Sequence, residues 1–366
     1  MRQTRTALLV VALLVTVPAW GTVQRTFVSR NGLDTNTCAI DQPCRSFTAA
    51  ILQTNANGEV VVNDSAGYGP VTITQAVAII SPLGVHAGIS VFSGDGVTIN
   101  AGSSDVVVLR NLYINSQGGS NGVTLNTAHK LYLEHCVVSG FSSNDINLVP
   151  TTTANVAITD TVAREAGAGI GIYADSPSPL TVSVDHCRLE SNRYGLLVDR
   201  ATVAVSNSTA DSNSVYAFDG RGSGGPAIMT VENSVASNSS SFTNSSGVRI
   251  ANGMATVHNM TLLNCTIGFI SSGVFTTFWI DHCVVSGGTY GMLFTNTASV
   301  TGCTISGNST GIASSGGSIF LTQNTITGNG TGIDATGGAT FYSTGDNLVD
   351  GNTTNVSGTI SAANKS

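Results

Sequence analysis

The chain has 366 residues and a formal charge of -7; 41% of it is hydrophobic, only 10% is charged, and 42 residues are glycine. High hydrophobicity with low charge excludes a disordered chain, and a net-acidic chain with two lysines, Lys130 and Lys365, lacks the basic face that nucleic-acid binding requires. The abundance of Ser, Thr, Asn, Gly and Val suits many short strands joined by turns rather than a helical bundle.

Residues 1–21 read as a secretory signal. Arg2 and Arg5 form a charged start, Ala7 to Val17 an apolar stretch too short to span a bilayer, and Ala19-Trp20-Gly21 offers small residues, Ala19 and Gly21, at the spacing a signal peptidase reads. Its removal takes both arginines and moves the charge from -7 to -9. The expected location is secreted or periplasmic, with no membrane span after the signal. Residues 22–66 are expected to form an N-terminal cap. Cys38 and Cys44 flank the short loop CAIDQPC and are expected to be disulfide-bonded, a local staple worth roughly 2 kcal/mol. Ser46 is a helix N-cap, after which Phe47, Ala50 and Ile51 fall on one face and can cover an open end of the core. Gly32 to Asn36 reads either as a capped turn or as a calcium loop of alternating oxygen ligands.

Residues 67–357 contain a repeat. VTGCTISGNSTGI at Val300 and LTQNTITGNGTGI at Leu321 align with VDHCRLESNRYGL at Val184 and with further copies anchored at Leu109, Leu133, Ile158, Val205, Val231, Val257 and Ile280, at a mean spacing of about 23.5 residues. Apolar or small residues recur at anchor, +3 and +5, and a Gly-apolar pair often at +11 and +12. Position +2 is Asn, Asp or His in most copies, and +8 is Asn in Asn192, Asn213, Asn308 and Asn329. Alternation at +3 and +5 fits short strands, and polar residues at +2 fit tight left-handed bends. Stacked coils of short strands, each pairing in parallel with the next about 4.8 Å away, account for the whole pattern. Cys136, Cys187, Cys283 and Cys303 share position +3 and are therefore interior packing residues; with Cys265 they are expected to remain free thiols. Residues 358–366 are expected to form a tail.

These repeats resemble the right-handed parallel β-helix of the pectate-lyase-like superfamily, which implies an all-β solenoid with a short N-terminal capping helix. The segment with Gly32, Asp34, Asn36, Cys38, Pro43, Cys44, Arg45 and Phe47, followed by Gly58-Glu59-Val60 and Gly67-Tyr68-Gly69-Pro70, looks like the opening of many secreted β-helix proteins. The resemblance implies a polysaccharide as ligand or substrate. The paired-aspartate and Gly-His-Gly motifs of polygalacturonases and the Asp-Pro-His motif of alginate epimerases are absent.

Charge is concentrated on the central coils: 13 charged residues lie between 160 and 221, and one, Asp281, between 260 and 333. Arg164, Glu190 and Asp211 occupy outward position +6 in consecutive copies, with Arg188 at outward position +4 beside them. This row is either a surface salt-bridge row or a site for an anionic sugar. As a polysaccharide lyase of pectate or alginate type, it would use Arg188 as the base and Glu190 with Asp211 as Ca²⁺ ligands. The preferred expectation is an exported polysaccharide- or surface-binding scaffold without catalytic machinery. An ice or surface binder presenting Thr209, Thr261, Thr304 and Thr325 is a further alternative, although Arg188, Val235 and Val284 interrupt that column.

Overall fold

A computed structural model describes residues 23–239, 245–273 and 275–363; the expected signal at 1–21 lies outside the described residues. Each repeat makes one coil of three strands. The coil anchored at Val184 runs Leu180–Asp185, Arg188–Glu190 and Tyr194–Val198. Stacked coils form three parallel sheets of 15, 13 and 13 strands. We call them the anchor sheet, the short-strand sheet (the one containing Arg188–Glu190) and the distal sheet (the one containing Tyr194–Val198). Val184 pairs with Val205, and Val205 with Val231, and all three are buried. The core is one continuous column of Val, Ile, Leu and Phe between the three sheets. One coil could not bury that face alone, but each is covered by its neighbours.

Two bends shape every central coil. The first is the one expected at +2: Asn111, His135, Asp160, His186, Asn207, Asn233, Asn259 and His282 all have φ between 48° and 56°. The second, at +7, is not evident from sequence because the residue type varies. Glu165, Ser191, Ser212, Asn238 and Asn264 have φ between 53° and 62°, and glycines 287, 307 and 328 continue the series. Immediately after this bend the +8 asparagines form an internal ladder. Asn308 Oδ1 accepts the Gly288 N–H at 3.0 Å, and Asn329 Oδ1 accepts the Asn308 N–H at 3.0 Å. The ladder satisfies bend amides that would otherwise be buried without partners.

All five cysteines expected to be free are free and buried. Cys136, Cys187, Cys283 and Cys303 line the +3 column, where Cys303 Sγ accepts the Cys283 N–H at 3.3 Å. Cys265 instead occupies the +8 column, in place of a ladder asparagine. Cys38 and Cys44 are disulfide-bonded. The capping helix is Phe47–Gln53; Ser46 Oγ accepts the Ala49 N–H, and Phe47, Ala50 and Ile51 are buried. Asp34 Oδ1 accepts the N–H groups of Arg45 and Ser46, and Oδ2 accepts the Ser46 hydroxyl, so Gly32 to Asn36 forms a capped turn.

Strands extend beyond the limits of the legible repeat. Thr54–Val62 lies within the segment expected as a cap, yet it pairs with Val23–Val28 and Val77–Ile80 in the anchor sheet. Ile360–Ala362 lies beyond 357 and pairs with Phe341–Ser343. Parallel pairing uses backbone groups, so a strand can join the stack without the side-chain signature of the repeat. Among the described residues no helix is long and apolar enough to cross a membrane.

Candidate functional site

The short-strand sheet brings the expected charged row into register: Arg164 pairs with Glu190, and Glu190 with Asp211. The side chains nevertheless have separate partners. Arg188 donates from Nε to Glu190 on its own strand at 2.7 Å. Arg164 reaches the Tyr113 hydroxyl at 3.2 Å, and its Nε is buried without a partner. Asp211 accepts from Ser237 at 2.5 Å, Asn238 at 2.8 Å and Ser212 at 2.8 Å. Burial raises the Asp211 carboxyl, but these hydrogen bonds outweigh it and hold the group below its ordinary range. The +4 column stacks as Arg188, Thr209, Val235, Thr261, Val284, Thr304 and Thr325.

A different constellation lies on the distal sheet of the same coils. Tyr194 and Tyr216 are register neighbours with ring centroids 5.7 Å apart. The guanidiniums of Arg193 and Arg221 lie 5.3 Å and 5.4 Å from the Tyr194 ring centroid, and that of Arg249 lies 4.8 Å from the Tyr216 ring centroid. These residues line an open cleft of about 480 Å³ that continues over Ser142, Ser143, Gly169 and Ile170. Bare backbone faces the interior just behind it. A Cβ at Gly195 would come within 2.5 Å of the Ala217 carbonyl oxygen, so glycine there lets Asn213 and the next coil pack tightly under the tyrosines.

Asp219 sets the charge of the cleft. It is fully buried, 3.3 Å from Arg249 and 3.8 Å from Arg221. Burial pushes its carboxyl up to about 6, against the opposing pull of the two arginines. Three guanidiniums and one carboxylate therefore leave a net positive patch on a chain of formal charge -7. Beside it, Arg200 holds Asp175 with bonds of 2.6 Å and 2.9 Å. Tyr173 donates toward Asp199 at 3.1 Å, and Asp199 also accepts from Ser223. Arg193, Asp219 and Arg221 belong to the central charge concentration seen in the sequence. Only the register of the coils places them with Tyr194, Tyr216 and Arg249.

A family described as a right-handed β-helix region matches residues 49–210. The chain folds as a right-handed parallel β-helix. Among solved structures, this β-helix is similar to the Dettilon tailspike protein, with 15% identity, TM-score 0.50, and coverage of 93% of this chain and 68% of that one. It is also similar to the pectate lyase Pel9A, with 12% identity, TM-score 0.48, and coverage of 70% and 78%. The catalytic domain of a GH87 α-1,3-glucanase aligns with 9% identity, TM-score 0.49, and coverage of 90% and 68%. At such identities the likeness is one of fold. No curated protein matches the β-helix significantly.

Proposed function

We propose that this protein is an exported scaffold that binds an acidic polysaccharide in the cleft of Arg193, Tyr194, Tyr216, Arg221 and Arg249. The observation that carries this reading is the gathering of three guanidiniums around two tyrosine rings on a net-acidic chain. A sugar ring stacks its C–H face on tyrosine, and guanidinium recognises a carboxylate or sulfate with paired N–H donors. The cleft is open, which suits an internal stretch of a long chain rather than an enclosed small molecule. Export is supported by the charged and apolar pattern of residues 1–21 and by the Cys38–Cys44 disulfide, which suits an oxidising compartment.

Affinity electrophoresis in gels containing polygalacturonate, alginate or a neutral glucan tests the proposal. Retardation by an acidic polymer is expected, with weakening by added salt and loss in the Arg193→Ala/Arg221→Ala double variant. Tyr194→Ala should weaken retardation separately. Equal retardation by neutral and acidic polymers, or unchanged retardation of the double variant, would refute it.

A further inference from the structure

The bland coils beyond residue 257 carry one cluster that the polysaccharide reading does not use. We infer that His258, Asp281 and His282 form a surface site for a divalent transition metal such as Zn²⁺ or Cu²⁺. Asp281 is the only Asp, Glu, Lys or Arg between Met260 and Ile333, and it lies between two imidazoles. His258 Nδ1 is 2.7 Å from one carboxylate oxygen and His282 Nδ1 is 2.6 Å from the other. The imidazole rings meet edge to face, 5.8 Å apart between centroids.

The fold builds this juxtaposition. His258 ends one strand of the anchor sheet and is the direct register partner of Asp281, which ends the next. His282 follows in the +2 bend at φ 50°, which turns its side chain back toward the same spot. Its ring lies over Gly302 of the following coil, where a Cβ would come within 3.1 Å of Nε2. The bend at that level is made by a glycine, which leaves the space open.

The three ligand atoms lie within 4.8 Å of one another. A tetrahedral ion with bonds of about 2.0–2.1 Å holds its ligands roughly 3.3 Å apart, so rotation of exposed imidazoles closes the set. An ion bound through Nδ1 of each ring takes neutral imidazoles that carry their single proton on Nε2. Two imidazoles and one carboxylate suit zinc, copper or nickel, whereas calcium prefers an all-oxygen shell. The solvent side leaves the fourth position to water. His186 beside Asp185 provides an internal comparison: one imidazole contacts that carboxylate at 2.7 Å, and Asn207, not a second imidazole, faces it from the next coil.

The test is calorimetric titration of tag-free protein with Zn²⁺, together with the electron paramagnetic resonance spectrum of one equivalent of Cu²⁺. One Zn²⁺ per chain is expected, and nitrogen splitting from two imidazoles. His258→Gln and His282→Gln should each weaken Zn²⁺ by at least about tenfold, while His186→Gln leaves it unchanged. Gln can still donate to Asp281, and circular dichroism confirms that each variant is folded. Gly302→Asn tolerates the left-handed bend and should weaken Zn²⁺ by displacing the His282 ring. Absence of Zn²⁺ uptake by the parent protein, undiminished uptake by the His258→Gln/His282→Gln double variant, or a thiolate charge-transfer band with Co²⁺ would overturn the assignment. None of these outcomes depends on the arginine cleft.

Discussion

Asp219 is completely buried beneath Arg249, whose guanidinium lies 3.3 Å from the carboxylate and 4.8 Å from the Tyr216 ring centroid. One side chain thus links a buried titratable group to the aromatic face of the cleft. Burial raises the Asp219 carboxyl to about 6, so it takes up a proton within a range where many acidic polysaccharides remain ionised. Protonation frees Arg249 and Arg221 from their shared counter-charge. Affinity for polygalacturonate should therefore rise as pH falls from 7 to 5, and Asp219→Asn should bind tightly with no such rise. Affinity measured at fixed ionic strength across that range checks both outcomes; a parent protein whose affinity is flat or falls would contradict them.

Asp145 is an acid inside the core. It is fully buried, its Oδ2 has no partner, and burial pushes the carboxyl up to about 9. The folded state therefore holds a proton that the unfolded chain releases near pH 4. Stability contributed by this group is fully present below about pH 4 and is lost as pH rises toward 9. Asp145→Asn should remove that slope, so its melting temperature should gain on the parent between pH 5 and 9. Parallel melting curves for the two proteins across this range would show that Asp145 does not carry the proton.

The asparagine ladder makes Asn308→Ala costly. Its Oδ1 takes the Gly288 N–H, while its Nδ2 serves the carbonyls of Val285 and Ser306 at 3.3 Å and 3.0 Å. Alanine leaves those groups buried and unpaired, for a loss of about 1–3 kcal/mol. Chemical denaturation measures it, and Ser309→Ala, one residue further on, is the comparison expected to change little.

Thiol chemistry separates the folded from the unfolded chain. Burial raises Cys136 and Cys187 to about 12 and Cys265 to about 11. Cys303 is raised further by its contact with Cys283 and by burial. Thiolate is the reactive form; Cys283, which its contact with Cys303 lowers, is shielded by burial instead, so alkylation at pH 8 should label none of the five in the folded protein. Mass spectrometry after alkylation in denaturant should find all five labelled, with Cys38 and Cys44 protected by their disulfide.

The Arg188 row is expected to be a local ion-pair arrangement. Arg188 is 62% exposed and is paired within its own strand, so Arg188→Ala should change stability by no more than about 1 kcal/mol. Neither pectate nor alginate should yield unsaturated product, with or without Ca²⁺. Millimolar Ca²⁺ should leave the melting temperature unchanged. Product that disappears in Arg188→Ala, or a calcium-dependent rise in melting temperature lost in Asp211→Asn, would instead support a lyase with Arg188 as base and Glu190 and Asp211 as Ca²⁺ ligands.

The stacked coil was legible in the linear order because its determinants are local and repeated. The aliphatic anchor, the polar +2 bend and a small or apolar +3 residue recur in most coils, so position in the repeat translates directly into an inner or outer face. The +7 bend was hidden, since Glu165, Ser191, Ser212 and Gly287 share a backbone conformation without sharing a residue type. Cys265 fell outside the +3 series for a related reason: it stands in the ladder column among asparagines.

Sequence alone determined which side chains face the core, because strand alternation and a left-handed bend are properties of a few consecutive residues. It also identified the central coils as the charged part of the rod. Only the tertiary structure decided which of those charges meet. Coils differ in length, so Tyr194 stands ten residues past its anchor and Tyr216 eleven past its own, yet they pair directly. Arg249 reaches them from a third coil, and His258 reaches Asp281 across a coil boundary. Such meetings depend on register between turns, which backbone pairing sets and no single repeat records.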